Sequence, residues 1–142
     1  MRIYTRQFGE LTVPEDKVVY FEEGIIGFPE YKRFVLVETD GDHPFLWLMS
    51  LDEPEFCLPL LPGDLVEGYR ESISLYLKEG RGQAIYVVVT LGRSPESATI
   101  NLKGPILIDV NNGKGRQVII DSDTFALSCP LLENVDTDKE AR

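Results

Sequence analysis

The chain has 142 residues, 43% of them hydrophobic and 27% charged, which excludes a disordered protein and allows one domain with a real core. A formal net charge of −10 opposes binding to phosphate backbones, and no apolar run reaches the roughly 18 residues that span a bilayer. The start, MRIYTRQFGEL, has no apolar run of signal-peptide length, so we expect a cytoplasmic protein that binds neither nucleic acid nor membrane.

Alternating patterns at the start of the chain predict short strands. Residues 2–8 alternate, and Gly9-Glu10 is predicted to turn them into the strand LTV, which makes a hairpin. The β-rich run KVVYF, residues 17–21, predicts the next strand. Two further strands are predicted at RFVLVET and FLWLMSL, because the strong turn signal DGDHP separates them.

The middle of the chain gives one strong signal and two weak ones. FCLPLL is predicted to be an edge strand or irregular, because Pro59 lacks a backbone N–H. YRESISLYL is ambiguous: Tyr69, Glu71 and Ile73 fit one side of a strand, whereas Leu75, Leu77 and the following KEGRG could instead form a short helical turn. AIYVVVTL, residues 84–91, is nearly continuous in β-branched residues, which predicts a strand buried on both faces.

The last third of the chain predicts four more strands, at ATINL, PILIDV, RQVIID and TFALSC, with NNGKG as the turn before RQVIID. The fold class that follows is all-β: a single-domain antiparallel β-barrel or sandwich of about nine or ten short strands, with at most one short helical turn. We expect this domain to cover residues 1–132 and a polar, flexible tail to cover residues 133–142.

Catalytic and metal-binding patterns are missing from the sequence. The lone His43 lies in a turn and no nucleophile motif accompanies it, so we expect a solvated histidine and no enzyme. Cys57 and Cys129 form no CxxC motif and are expected to be buried, reduced thiols, with a disulfide as the alternative. The aspartate pairs lack the spacing of a calcium loop; they are Asp40 with Asp42 and Asp121 with Asp123. We therefore predict no cofactor and no metal.

The stretch EEGIIGFPEYKRF, residues 22–34, predicts a turn with an apolar anchor. Gly24 and Gly27 are expected to allow positive φ or a close backbone approach. One or two of Ile25, Ile26 and Phe28 would then anchor the turn in the core. The alternative is that the remaining apolar side chains line part of a partner groove.

Two other sets of residues are candidates for partner binding. Phe45 and Trp47 share one face of a predicted strand, where a core position is favoured over a partner surface. Asp52, Glu53 and Glu55 surround a proline turn, and Glu71 lies on a predicted exposed strand face. Carboxylates of this kind usually line a solvated turn, but beside a basic partner they would steer its association.

Three stretches together resemble the FliW family of bacterial flagellar assembly factors. They are FEEGIIGFPEYKRFVL, PFLWLMSLDEPEFCLPLLP and ATINLKGPILIDVNNGKGRQVII, in the family's order and approximate spacing. The resemblance extends from about Ile3 to Leu131. The chain departs from the pattern at Ile26, where the family has proline, and at Gly104, where it more often has alanine.

The resemblance implies a non-enzymatic, mostly β protein of the cytoplasm with two protein partners. FliW-like proteins bind flagellin before its export and bind CsrA, an RNA-binding repressor of flagellin translation. Binding CsrA removes the repression, and accumulated flagellin frees CsrA again, which gives feedback on flagellin synthesis. The alternative is a β-barrel for a small ligand, of the flavin-binding type, which would need a cavity with converging polar groups. A structural subunit of an assembly is a third possibility.

Overall fold

The computed structural model describes residues 1–39, 41, 43–77, 82–121, 125 and 129–131, and within them the protein is all-β. The described strands are β1 (Arg2–Thr5), β2 (Gly9–Thr12), β3 (Val19–Phe21), β4 (Arg33–Val37), β5 (Leu46–Ser50), β6 (Cys57–Pro62), β7 (Gln83–Thr90), β8 (Thr99–Asp109), β9 (Lys114–Gln117) and β10 (Cys129–Pro130). One α-helical turn, α1 (Tyr69–Ser72), agrees with the prediction. Single 3-10 turns occur in addition, at Glu15–Lys17, Gly63–Leu65, Ser74–Tyr76 and Pro95–Ser97.

The main sheet closes into a barrel. Its strand order is β8-β7-β6-β5-β4-β3-β9, and β9 pairs back onto β8, so the sheet has no free edge around the ring. All pairings are antiparallel except β3 with β9, which run parallel with Tyr20 opposite Lys114. β10 lies beside the start of β8, and β1 with β2 forms a separate hairpin.

The barrel interior is filled by large apolar side chains. Phe21, Phe34, Leu48, Leu60 and Ile106 point inward and are each 0% exposed. The Phe21 ring lies so close to Gly115 that a Cβ there would overlap it. The described side chains therefore fill the barrel interior as a core, which counts against a small-ligand site inside the barrel.

Two outer faces of the barrel are covered by the chain itself. Val13, directly after the β1–β2 hairpin, packs on the outward residues Val35 and Met49 of β4 and β5. The segment that contains α1 packs Tyr69 on the outer face of β7 and β8. Ile85, Val87 and Val89 of β7 are consequently 3%, 0% and 2% exposed, as predicted. The prediction of burial on both faces is wrong for the inner face, where Tyr86 and Val88 are only half-buried.

The hairpin turn lies three residues earlier than predicted. β1 ends at Thr5, Arg6–Phe8 form the turn, and Gly9 begins β2 opposite Thr5. The Thr5 hydroxyl closes this turn, since Oγ1 accepts the Phe8 N–H at 2.8 Å and donates to the Gly9 carbonyl at 2.9 Å. The threonine side chain therefore fixes the turn at Arg6–Phe8, which the alternating pattern alone does not reveal.

The prediction of an edge or irregular strand at FCLPLL is wrong. β6 lies inside the sheet and pairs with both β5 and β7. Pro59 pairs with Trp47 of β5, and pairing with β7 begins only at Leu60. The proline thus lies where one side of the strand is unpaired, so its missing N–H is tolerated.

The ambiguous stretch YRESISLYL is helical. α1 is followed by the 3-10 turn Ser74–Tyr76, and Tyr69 and Ile73, four residues apart, are both buried. A helical spacing of four places both side chains on one face, which packs on the barrel. The predicted strand alternative is therefore wrong, and Glu71 lies exposed on a helical turn rather than on a strand.

The strand boundaries near the C-terminus also differ from the predictions. ATINL and PILIDV form the single strand β8, in which a bulge lies opposite β7 between Tyr86 and Val88. β9 begins at Lys114, two residues before the predicted strand. Of TFALSC only Phe125 and Cys129 are described, and the predicted tail lies outside the described residues, as do Asp40, Asp42 and Asp123.

The two cysteines are free and half-buried rather than fully buried. Burial raises the pKa of the Cys57 thiol to about 11, so this thiol is protonated at neutral pH. A protonated thiol is a poor nucleophile, which agrees with a packing role for Cys57.

Candidate binding groove

A tight turn after β3 forms one wall of a groove. Gly24 and Gly27 have φ values of +69° and +89°, as the sequence predicted. Between them Ile25 and Phe28 form an isolated β-bridge, in which the Phe28 N–H donates to the Ile25 carbonyl at 2.7 Å. A Cβ on Gly24 would lie 2.5 Å from the Phe28 carbonyl oxygen, so glycine is needed for the close approach.

The apolar residues of this turn divide into an anchor and an exposed pair. Ile25 is 4% exposed and packs into the core inside the barrel. Ile26 and Phe28 are 53% and 37% exposed. The prediction of one or two anchors is thus confirmed with Ile25, and the other two side chains remain available to solvent.

Phe28 belongs to an aromatic cluster. It stacks on Tyr31 with ring centroids 5.6 Å apart and packs on Phe56 at 4.4 Å. Phe56 in turn meets Phe34 of the barrel core edge-to-face, at 6.4 Å. These contacts hold the Phe28 ring in place while it remains partly exposed.

The groove beside this turn has a volume of about 540 Å³ and a mostly apolar lining. Its apolar wall and floor consist of Ile25, Ile26, Phe28, Phe56, Leu58, Val88, Ile119 and Ile120; its polar rim consists of Asn101, Lys103, Gly104, Gln117 and Asp121. Ile119, at 66% exposed, adds to the exposed apolar surface of Ile26 and Phe28. Exposed apolar side chains gathered around one concavity are typical of a binding site for an apolar partner.

A second depression, of about 630 Å³, lies on the other side of the turn and is polar. Its charged residues include Glu22, Asp109 and Arg116. Arg116 donates to the Tyr76 carbonyl at 2.6 Å, and Asp109 accepts the Asn111 N–H in the turn after β8. Because two of these charges serve the fold, the apolar groove is the better candidate site.

Asp52 supports the fold rather than a partner surface. One carboxylate oxygen accepts the N–H groups of Lys32 and Arg33 at 2.8 and 3.0 Å, and the other accepts from the Arg33 Nε at 3.1 Å. Partial burial raises the pKa of Asp52, but these donors and the Arg33 charge outweigh it, so the pKa lies below its usual value. Asp52 thus ties the end of the Glu22–Tyr31 segment to the turn after β5.

Glu53 and Glu55 are exposed in the same turn. The Glu55 carboxylate lies 3.2 Å from the Arg6 guanidinium, with both side chains mostly exposed, so this pair contributes little to stability. The Glu53 carboxylate accepts the Glu55 N–H at 3.4 Å, a long hydrogen bond. Both carboxylates are therefore open to solvent, as the sequence suggested.

Phe45, Trp47 and Glu71 lie away from the groove. Phe45 packs against the core cluster outside the barrel. Trp47 is half-buried on the outer face of β5, where its ring meets Phe8 of the hairpin edge-to-face at 6.0 Å. The structure thus brings Ile25, Ile26 and Phe28 together in one site and places the other predicted residues elsewhere.

Sequence reasoning missed several groove residues. The sequence places Phe56 and Leu58 in FCLPLL and Gln117 and Ile119 in RQVIID, and neither pattern indicates a partner role. The one available signal was the run VII, residues 118–120. A strand with a single buried face would alternate apolar and polar residues, and this run does not. The β3–β9 pairing that brings Gln117 beside the Gly24 turn is not readable from local patterns.

The described residues contain no group of three or more His, Cys, Asp or Glu side chains arranged to hold a metal ion. His43 is exposed in the turn before β5, as predicted. Within the part of the chain that the structure describes, no helix has the length and apolar character to cross a membrane.

Comparison with known proteins gives consistent matches. The family model described as FliW protein matches residues 2–131. The flagellar assembly factor FliW of Lachnospira eligens is 34% identical, with 94% of this chain and 95% of that protein covered. The one from Thermoanaerobacter pseudethanolicus is 35% identical, with 95% of each covered. A crystal structure of the flagellar assembly factor FliW superposes with a TM-score of 0.79 at 28% identity, covering 92% of this chain and 96% of that one.

Proposed function

The chain belongs to the FliW family of flagellar assembly factors, and from that premise we propose that it binds flagellin in the cytoplasm through the apolar groove and antagonises the translational repressor CsrA by protein–protein binding. Neither action requires catalysis or a cofactor. Together they would let the level of unexported flagellin control its own synthesis.

The groove is the observation that carries the flagellin proposal. Unpolymerised flagellin has apolar helical segments, and an amphipathic helix binds by placing apolar side chains in a groove of this kind. Ile26, Phe28 and Ile119 are exposed around the concavity, so an occupant would bury apolar surface that the fold leaves in water. The aromatic cluster fixes Phe28, which reduces the entropy lost on binding.

The charge distribution supports the CsrA proposal. An RNA-binding repressor presents cations to phosphates, and a chain with a net charge of −10 attracts such a surface. Glu53, Glu55 and Glu71 are exposed and are the acids we assign to this encounter. Asp52 is left out, because its hydrogen bonds to Lys32 and Arg33 give it a structural role.

The test of the flagellin proposal is the affinity of purified flagellin for groove variants. We expect Ile26→Ser combined with Ile119→Ser to weaken binding about tenfold or more, because apolar contacts near the centre of an interface dominate its energy. The matched control is Leu75→Ser, since Leu75 is 96% exposed on the turn after α1 and does not line the groove. Equal flagellin affinity for the double variant and the control would contradict the proposal.

The test of the CsrA proposal is association kinetics at low and high salt. The CsrA association rate should fall as added salt shortens the Debye length, which is about 8 Å at physiological ionic strength. The variant Glu53→Gln with Glu55→Gln and Glu71→Gln should reduce the CsrA association rate and leave flagellin affinity nearly unchanged. A CsrA association rate that does not respond to salt would contradict the electrostatic argument.

A further inference from the structure

The side-chain amide of Gln117 bridges the two walls of the groove. Its Oε1 accepts the Ile26 N–H at 2.9 Å, and its Nε2 donates to the Gly104 carbonyl at 2.9 Å. Ile26 belongs to the turn after β3, whereas Gly104 belongs to the bulge in β8. One half-buried side chain thus uses its acceptor on one wall and a donor on the other.

The bulge that Gln117 contacts is itself fixed in place. Asn101 Oδ1 accepts the N–H groups of Lys103 and Gly104 at 2.8 and 3.1 Å. A Cβ on Gly104 would lie 3.1 Å from Asn101 Nδ2 and 3.2 Å from Gln117 Nε2. The two amides therefore pack closely around Gly104, which holds the β8 wall in one position. Gln117 can then fix the distance between this wall and the turn after β3.

We propose that Gln117 is the positioning residue that sets the width of the groove and hence the size of the apolar side chain that the groove accepts. The inference rests on the proposed function in one respect, namely that the groove is the binding site. The physical reason is that the turn after β3 carries Ile26 and Phe28 and is exposed to solvent over much of its length. Its internal Ile25–Phe28 bridge fixes the shape of the turn, and the Gln117 amide fixes its distance from β8.

Two substitutions separate the two hydrogen bonds. Gln117→Leu removes both of them at similar side-chain volume. Gln117→Glu keeps an oxygen that can accept the Ile26 N–H but loses the donor to the Gly104 carbonyl. The matched control is Gln7→Leu, because Gln7 is exposed in the hairpin turn and lies outside the groove.

The first measurement is hydrogen exchange of the Ile26 amide. Gln117→Leu should speed this exchange about five- to tenfold, the change expected for one lost neutral hydrogen bond. Gln117→Glu and Gln7→Leu should leave it within about twofold of the wild type. This measurement needs no partner, so it tests whether Gln117 positions the turn even if the groove binds nothing. Unchanged Ile26 exchange in Gln117→Leu would overturn the inference.

The second measurement is selectivity for size. The probes are two amphipathic helical peptides that differ only in one central apolar anchor, leucine in one and tryptophan in the other. Releasing one wall should raise the affinity for the tryptophan peptide relative to the leucine peptide by about fivefold in both Gln117 variants, and not in Gln7→Leu. A purely structural role would weaken both peptides by the same factor, and such an equal loss would overturn the inference.

The outcomes distinguish the inference from the proposed function. If neither peptide nor flagellin binds the wild type, the proposed function fails, and the exchange of the Ile26 amide still decides whether Gln117 positions the turn. If the wild type binds but its preference for leucine or tryptophan is the same in all variants, the groove is confirmed and the inference is overturned. Should Gln117→Leu fail to fold, the selectivity of Gln117→Glu decides, because this variant loses only the bond to the Gly104 carbonyl; unchanged selectivity in it would overturn the inference.

Discussion

The turn Gly24–Phe28 and the turn Asp52–Glu55 lie beside each other but differ in the roles of their side chains. In the first turn, Ile26 and Phe28 are apolar but exposed. In the second, the charged Asp52 is committed to hydrogen bonds with the backbone that follows the first turn. Hydrophobic character alone therefore does not identify the buried residues of the first turn, and charge alone does not show that Asp52 has a structural role.

The two turns differ in which of their groups stabilise the fold. Asp52 stabilises the chain reversal that leads into β4, because a carboxylate can accept several N–H groups at once. Ile26 contributes its backbone N–H to the fold, through Gln117, and leaves its side chain in water. The acidic turn thus supports the apolar turn, and the apolar turn is the one whose side chains remain exposed.

A large effect is expected from Gly24→Ala, which breaks the apolar turn. The substitution should lower the free energy of unfolding by about 3 kcal/mol, because a positive φ costs about 1–2 kcal/mol outside glycine and the new Cβ also meets the Phe28 carbonyl. The control is Gly27→Ala, which has a positive φ but no atom within 4 Å of the Cβ and should cost about 1 kcal/mol. Urea unfolding measures both, and equal losses would contradict the close approach.

A smaller effect is expected from Asp52→Ala, which removes the support that the acidic turn gives. Loss of hydrogen bonds to a charged acceptor should lower the free energy of unfolding by about 1–2 kcal/mol at neutral pH. The folded pKa of Asp52 is lowered, so its contribution is present above the unfolded pKa of about 3.9 and is lost as pH falls through the folded pKa. The stability difference between wild type and variant should therefore start to shrink below about pH 4 and vanish below the folded pKa, and a constant difference across that range would contradict this role.

Ile26→Ala should change stability much less, by under about 0.5 kcal/mol, because the side chain is half in water and its backbone N–H is retained. The paired substitution Ile25→Ala should cost about 2–4 kcal/mol, since Ile25 is 4% exposed in the core. Thermal unfolding of the two variants sharpens the division of this turn into an anchor and an exposed pair. Similar losses at both positions would show that the division is wrong.

The smallest effect on stability is expected from Glu55→Gln. Its ion pair with Arg6 is mostly exposed, so the free energy of unfolding should change by under about 0.5 kcal/mol. Asp52, three residues earlier, should by contrast cost about 1–2 kcal/mol when it is replaced by alanine. If Glu55→Gln destabilises the protein as much as Asp52→Ala does, the two acids do not have different roles.

The sequence predicted the fold class and the central strand well, because period-two patterns and β-branched runs report directly on strands. Ile85, Val87 and Val89 are buried as predicted, and Gly24 and Gly27 have the predicted positive φ. Local patterns did not predict the parallel β3–β9 pairing, because it depends on closure of the barrel. The same closure brings Gln117 to Ile26, across 91 residues of sequence, and so completes the groove.

The candidate site was predicted only in part for a related reason. Ile25, Ile26 and Phe28 are adjacent in sequence and therefore visible as a unit, whereas Phe56 and Ile119 join them only through folding. Trp47 is a comparable candidate by residue type, but its position on the outer face of β5 gives it Phe8 as a neighbour instead. The acids were chosen by charge, which does not show that Asp52 has three donors within the protein.

The most direct test of the groove as the flagellin site is an isoleucine-methyl NMR titration of the protein with flagellin. Flagellin should shift or broaden the signals of Ile26, Ile119 and Ile120, which line the groove, and leave those of Ile3 in the hairpin and Ile73 beneath α1 unchanged. The Leu75→Ser variant should give the same pattern. Perturbation centred on Ile3 or Ile73, with Ile26 and Ile119 unaffected at saturation, would contradict the account.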